Sequence, residues 1–183
     1  MNRTRTVNLI LCGLFSALIA AGAFIRIPAF GVPLTLQTTF VLLSGFLLGA
    51  RQSAFACTVY TAMGLIGLPV FTEGGGLGYV LQPSFGYIIG FIFGSALIGF
   101  ITEKSARPSY LWLITAGLCG LFVIYAVGTV YFYIVTRLNT GAAVHLSTLL
   151  YTCIAVSLPK DIILGGAAVI IASRLIPIIR QKH

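Results

Sequence analysis

The chain has 183 residues, of which 58% are hydrophobic and 8% charged, with a mean hydropathy of +1.06. A water-soluble domain of this length has too little polar surface in such a composition to stay in solution, so the chain reads as an integral membrane protein. The net charge of +8 must then be read for topology before any nucleic-acid partner is inferred. A spanning helix takes about 20 apolar residues, which leaves room for six or seven spans, short loops and no separate soluble domain. The expectation is one transmembrane domain over residues 1–183.

Met1 to Arg5 followed by an apolar run resembles a signal peptide, but the run is long for one and another span follows at once, so it reads as the first span, about Val7 to Ile27. Pro28, Gly31 and Pro33 end it. The second span covers about Leu34 to Ala50 and stops at Arg51-Gln52, and the third, Ser53 to Leu68, ends at Pro69. A loop rich in glycine and proline follows, and its backbone polar groups must meet water or line a protected cavity, because they cannot face lipid. The fourth span runs from about Ser84 to Ile101, the fifth from Tyr110 to about Thr136, and the last from Pro159 to about Ile176 before the basic tail.

Gly141 to Leu158 is long enough to be a seventh span, and charge decides against it. With six spans and both termini inside, Arg3, Arg5, Arg51, Lys104, Arg107, Arg174, Arg180 and Lys182 are cytoplasmic, eight in all, against Arg26, Arg137 and Lys160 outside. A seventh span would move three of the eight across and leave five against six. Gly141 to Leu158 is therefore expected to be a short helix in or dipping into the outer interface. The connections bearing proline and glycine, Pro28 to Gln37, Pro69 to Pro83 and Arg137 to Asp161, then share the outer face. The expected fold class is an all-α membrane protein of six transmembrane helices whose irregular outer loops form a ligand pocket.

The chain has three acids, Glu73, Glu103 and Asp161. Glu103, beside Lys104 in a basic inner loop, reads as a solvated surface charge. Asp161 falls in the first turn of the last span, where it is either a helix-start residue or an acceptor for a ligand's N–H groups. Lys160 either snorkels to the headgroups or meets a ligand. Glu73 is solvated, paired with Lys160 or Arg26, or inside the site. Gln37 carries a primary amide that needs a partner in lipid. Gly74, Gly75, Gly76 and Gly78 permit close approach of backbone to a ligand, with a plain surface loop as the alternative. Phe71, Tyr79, Phe85 and Tyr87 default to an interfacial aromatic belt, with a pocket wall as the alternative.

Small residues recur every four positions at Gly86, Gly90 and Gly94, at Gly45 and Gly49, and at Gly13, Ala17 and Ala21, a spacing that lets helices approach closely. Cys12, Cys57, Cys119 and Cys153 have neither disulfide nor metal spacing and read as core fillers. No catalytic constellation, metal site or ATP-binding motif emerges, so the chain is read as a non-enzyme.

Val32-Pro33-Leu34-Thr35-Leu36-Gln37-Thr38, Gly67-Leu68-Pro69-Val70-Phe71 with the following glycines, Pro83, Gly86-Tyr87, Gly90-Phe91, and Pro159 with Asp161 together resemble the BioY family. These are the biotin-specific substrate-binding (S) components of energy-coupling factor (ECF) transporters. The resemblance extends over nearly the whole chain. It implies high-affinity capture of biotin and its uptake across a prokaryotic cytoplasmic membrane, without a cofactor. The partners implied are a transmembrane scaffold subunit and two ATPase subunits that use the ATP; nucleic acid is not among them. It also maps a helix-docking pattern onto Ala17 to Ala21, making Gly13, Ala17 and Ala21 the expected partner interface.

The sequence departs from the family in carrying Leu164 where a lysine is common after the aspartate, with Lys160 before it instead, and in having Gln82, Phe85 and Glu73 where smaller residues are usual. Biotin offers two ureido N–H donors, a carbonyl, an apolar thioether ring and a carboxylate. The expected ligand-binding set is Asp161, Lys160, Gln37, Tyr79, Gln82, Tyr87, Gly76, Gly78 and Glu73, with Asp161 accepting from the ureido group and Lys160 pairing with the carboxylate. The rival readings are an S component for another vitamin and, from a different class, a small membrane enzyme.

Overall fold

The computed structural model describes residues 3–27, 34–105, 108–140, 145, 147–148 and 151–180. These form six helices: α1 (Arg3–Phe24), α2 (Gln37–Leu48), α3 (Ala50–Leu65), α4 (Phe85–Glu103), α5 (Tyr110–Thr140) and α6 (Leu158–Arg180). Four stretches, Thr6–Phe24, Phe85–Glu103, Tyr110–Asn139 and Cys153–Ile178, are long and apolar enough to cross a membrane. The expected Gly141 to Leu158 helix lies largely outside the described residues; its last part, Tyr151–Ala155, is a single π-helical turn leading into α6.

The first difference from expectation is at the end of α1. The helix stops at Phe24, and Arg26–Ile27 (β1) pairs antiparallel with Leu34–Thr35 (β2), Arg26 opposite Thr35. Thr35 and Arg26 therefore belong to a small hairpin rather than to spans, because the two prolines and the glycine between the strands do not continue a helix.

A second difference is the join between α2 and α3, where Gly49 is the one residue between the two helices. It has φ +83°, a backbone conformation that other L-residues adopt only with strain. This frees the N-terminus of α3, and the Glu103 carboxylate at the end of α4 accepts a hydrogen bond from the Ala50 N–H at 3.2 Å. Glu103, expected as a plain surface charge, thus caps a neighbouring helix. A methyl group at Gly49 would lie 1.9 Å from Glu103 Oε1. Gly49→Ala is therefore expected to cost about 1–2 kcal/mol from the torsion alone, and more from displacing the cap, as a lowered thermal midpoint in detergent.

The interior is assembled around α2, of which Gln37, Thr38, Val41, Leu42, Leu43, Ser44, Gly45 and Phe46 are buried. The glycine spacing on α4 does what small residues do between apolar helices. Gly86 receives Tyr131, Gly90 lies against the Ile124 backbone and Gly94 against the Ile124 side chain, so α4 and α5 pack closely. Small polar groups tie the other helices together at depth. Ser16 Oγ lies 2.8 Å from the Ala56 carbonyl, linking α1 to α3, and Ser53 Oγ donates to the Ser95 carbonyl at 3.1 Å, linking α3 to α4. Cys12, Cys57 and Cys153 are buried and unpaired thiols, as core fillers should be.

Candidate ligand-binding site

The loop between α3 and α4 is built down onto the helices rather than standing away from them. Gly67, Gly74 and Gly76 take positive φ, and the Phe71 and Gly74 backbones exchange hydrogen bonds of 2.9 and 3.2 Å. The Gly76 N–H then donates to the Gly64 carbonyl at 2.7 Å. The tight turn drives Phe71, 1% exposed, against α3 at Gly64, where an added methyl would lie 2.0 Å from Phe71 Cζ. Around this ring sit Tyr79 at 4.6 Å, Tyr60 at 5.5 Å and Phe85 at 6.3 Å between centroids. Phe71, Tyr79, Phe85 and Tyr87 are all buried. The default belt reading therefore gives way to the pocket-wall alternative, since a belt residue would present its ring to the interface.

Gln37, at the first position of α2, is the polar hub beneath this loop. Its Nε2 donates to Tyr60 Oη at 2.6 Å, and its Oε1 accepts from Thr72 Oγ1 at 3.3 Å and Thr35 Oγ1 at 3.4 Å. Tyr60 Oη in turn donates to the Val70 carbonyl at 3.2 Å. One amide thus joins the hairpin, α3 and the loop, which is the partnering a buried primary amide requires. The Arg26 guanidinium adds a rim contact by donating to the Thr72 carbonyl.

Opposite, the first turn of α6 carries Asp161, 3% exposed. Tyr125 Oη donates to Asp161 Oδ2 at 2.6 Å, and Lys160 Nζ pairs with Oδ1 at 2.7 Å. Lys160 also donates to the Thr35 carbonyl, tying α6 to the hairpin. Tyr87 donates to the Cys153 carbonyl at 3.2 Å, and its ring stands edge-on to Tyr125 at 5.8 Å. The Ser157 hydroxyl is buried beside this group.

Between these groups lies a cavity that is partly open to solvent. Thr35, Gln37, Thr38, Thr72, Tyr79, Ser84, Tyr87, Ile88, Phe91, Tyr125, Ser157, Lys160 and Asp161 line it. Burial pushes the Tyr79 phenol above its ordinary pKa, so it faces the cavity as a protonated hydroxyl at neutral pH. The walls combine one carboxylate acceptor, hydroxyls, an amide and aromatic faces, a set suited to a small ligand with an apolar ring and N–H donors.

Of the residues named from sequence, Asp161, Lys160, Gln37, Tyr79 and Tyr87 come together on this wall. Gly76, Gly78, Gln82 and Glu73 do not. Gly76 spends its N–H on Gly64, and Gln82, Gly78 and Glu73 are exposed. Tyr125, Ser84, Thr72 and Ser157 were not legible as site residues, because a hydroxyl in a loop, at a helix start or in an apolar helix does not by its type mark a ligand contact. The one available clue to Tyr125 was that a buried Asp161 needs a donor. On α1, Gly13, Ala17 and Ala21 lie exposed on one face with Ile10 and Leu14.

Comparison with known proteins gives a consistent result. A model of the BioY family matches residues 1–181. The chain is 39% identical over 183 residues to a probable biotin transporter BioY of Lysinibacillus sphaericus, covering all of this chain and 93% of that one. It is 43% identical over 122 residues to the biotin transporter BioY of Thermotoga maritima, covering 66% of this chain and 71% of that one. The crystal structure of the S-component for biotin from an ECF-type ABC transporter superposes with a TM-score of 0.81 at 28% identity, covering 96% of this chain and 94% of that one. With the family model spanning almost the full length and relatives of this similarity, the chain belongs to the BioY family.

Proposed function

We propose that this chain captures biotin from outside the cell and delivers it inward as the S component of an ECF transporter. The observation that carries this reading is the buried Asp161 carboxylate, held by Tyr125 and Lys160 on the cavity wall with the Gln37 amide on the same wall. A carboxylate so oriented accepts the paired N–H groups of a ureido ring, and the tyrosine faces take the apolar bicycle. The chain carries out no chemical step: it binds and releases. The bias of Lys and Arg toward the inner segments of the six-span reading supports a cavity open to the outside and termini in the cytoplasm of a prokaryotic cell.

The energy for uptake comes from two ATPase subunits acting through a transmembrane scaffold, which docks on the Gly13, Ala17 and Ala21 face of α1. A methyl or no side chain at these positions allows close helix contact, and among the described residues nothing lies within 4 Å of a methyl added at Gly13. Ala17→Trp is expected to abolish uptake in cells carrying the full transporter while biotin binding by the purified chain stays within twofold of the parent. Loss of both would give the face a folding role instead. Equilibrium binding by the purified protein against a panel of vitamins tests the function itself. Saturable binding of biotin, undisturbed by the other vitamins, is the expected result; tighter binding of another member would make the chain an S component for that vitamin.

A further inference from the structure

We propose that the seam between α5 and α6 is a lipid site, in which one acyl chain of an anionic glycerophospholipid lies between the two helices with its headgroup at their inner end. The proposal is independent of which vitamin enters the outer cavity and takes only the assignment of inner and outer ends from the six-span topology.

Glycines between apolar helices usually let them close on one another, as Gly86, Gly90 and Gly94 do between α4 and α5. Between α5 and α6 they do not. A methyl added at Gly117 on α5 would meet only Phe46 of α2, at 3.2 Å, and one at Gly165 on α6 only Leu42 of α2, at 3.3 Å. One at Gly166 would have nothing within 4 Å among the described residues. The three glycines therefore open a slot floored by α2 instead of bringing its two walls together. Its lining is aliphatic apart from Phe46 and these glycines. The rims, Ile114 and Leu118 on one side and Ile162 on the other, are exposed.

What fills the slot follows from where it lies. Both walls belong to the apolar spans Tyr110–Asn139 and Cys153–Ile178, so the medium at the rims is hydrocarbon. An apolar slot offers water no partners, and left empty it forfeits the dispersion contacts of its lining. A helix is about 10–12 Å across with its side chains and would ride on the rims, leaving the glycines uncovered. An acyl chain, one methylene wide, can lie between the rims against the glycines.

The same helix faces continue inward, with Tyr110 one turn before Ile114 and Ser173 one turn beyond Val169. There a second cavity is lined by Ser109, Tyr110, Ser173 and Pro177, among others. Hydroxyls thus replace aliphatic walls where an acyl chain would give way to its glycerol ester groups. Arg174 stands exposed beside Ser173. The chain has no acid between Glu103 and Asp161 and none after Asp161, and Glu103 is engaged by the Ala50 N–H. An anionic headgroup at this end meets a cation and no opposing carboxylate.

The test uses the purified chain in phosphatidylcholine bilayers containing a trace of phosphatidylglycerol or phosphatidylcholine with a nitroxide on one acyl chain, and reads the motionally restricted fraction by electron paramagnetic resonance. The labelled phosphatidylglycerol is expected to associate at least about fivefold more strongly than the labelled phosphatidylcholine, and Arg174→Gln to lower that preference about fivefold, the worth of one basic residue beside an anionic lipid. Gly166→Leu puts a side chain into the open slot and should bring the preference close to unity, with a thermal midpoint no lower than the parent's. Where that variant is destabilised, Leu118→Trp closes the slot from its exposed rim and carries the same expectation. Equal association of the two lipids with the parent, or an unchanged preference in a stable slot-filling variant, would overturn the proposal. Parent dimers that show no lipid preference and dissociate in Gly166→Leu would also overturn it, giving the seam to a second copy of the chain.

Discussion

Asp161→Asn is expected to weaken biotin binding by about 10- to 100-fold, the range set by losing hydrogen bonds to a charged acceptor, measured by isothermal titration of the purified protein. The substitution keeps shape and one carbonyl oxygen but halves the accepting capacity. It also strands Lys160, whose partner across 2.7 Å disappears. Because the Lys160 side chain is 22% exposed, part of that penalty is relieved by water, and the stability loss should fall below the 3–5 kcal/mol seen on breaking fully buried pairs, at about 1–3 kcal/mol. The two effects separate in the double variant. Asp161→Asn with Lys160→Met removes both charges, so thermal stability should recover most of what Asp161→Asn loses while binding does not. If Asp161→Asn alone binds as tightly as the parent, the carboxylate is a helix-start residue and the ligand is held elsewhere.

Gly64→Ala should be nearly as damaging to binding, although residue 64 is absent from the cavity wall. The new methyl would sit 2.0 to 2.4 Å from three carbons of the Phe71 ring, far inside contact distance. Phe71 has little room to retreat: it is almost fully buried, with Tyr60 edge-on to its ring on one side and Tyr79 at 4.6 Å on another. Relief comes from lifting the loop, which moves Thr72 and Tyr79, both of which line the cavity. The expected outcome is about 1–3 kcal/mol of stability lost and at least tenfold weaker biotin binding. Gly13→Ala is the control, since nothing lies within 4 Å of its added methyl. Binding by Gly64→Ala within twofold of the parent would show that the loop conformation is not what shapes the pocket.

These two residues also mark how far the sequence could be read. Asp161 stood out because an acid in an apolar chain is costly, and that cost is visible in one dimension. Gln37 stood out for the same reason, and its three side-chain partners are the structure's answer to a cost the sequence already announced. The six helices followed from run lengths, with ends shifted by a few residues. The hairpin at Arg26 and Leu34 was invisible because two-residue strands have no period to detect. Gly64 and Tyr125 were invisible for a different reason. Each matters through a neighbour brought in by the fold, Phe71 for one and Asp161 for the other, and nothing in the flanking residues reports that neighbour. Phe71 falls to the belt default, with the pocket wall as the alternative, because the turn that buries it is made by glycine torsions, which leave no mark in hydrophobicity.

Trp112, the only tryptophan in the chain, donates from its indole N–H to the Ile101 carbonyl at 3.0 Å, joining the start of α5 to the end of α4. Tyr125 lies thirteen residues further along α5, about 20 Å away at the helical rise. The chain's intrinsic tryptophan emission therefore reads the end of the bundle remote from the cavity and is blind to what enters it. The three tyrosines on the cavity wall, Tyr79, Tyr87 and Tyr125, are the chromophores that a ligand would perturb. Two optical channels of one unlabelled protein thus report separately on its two ends.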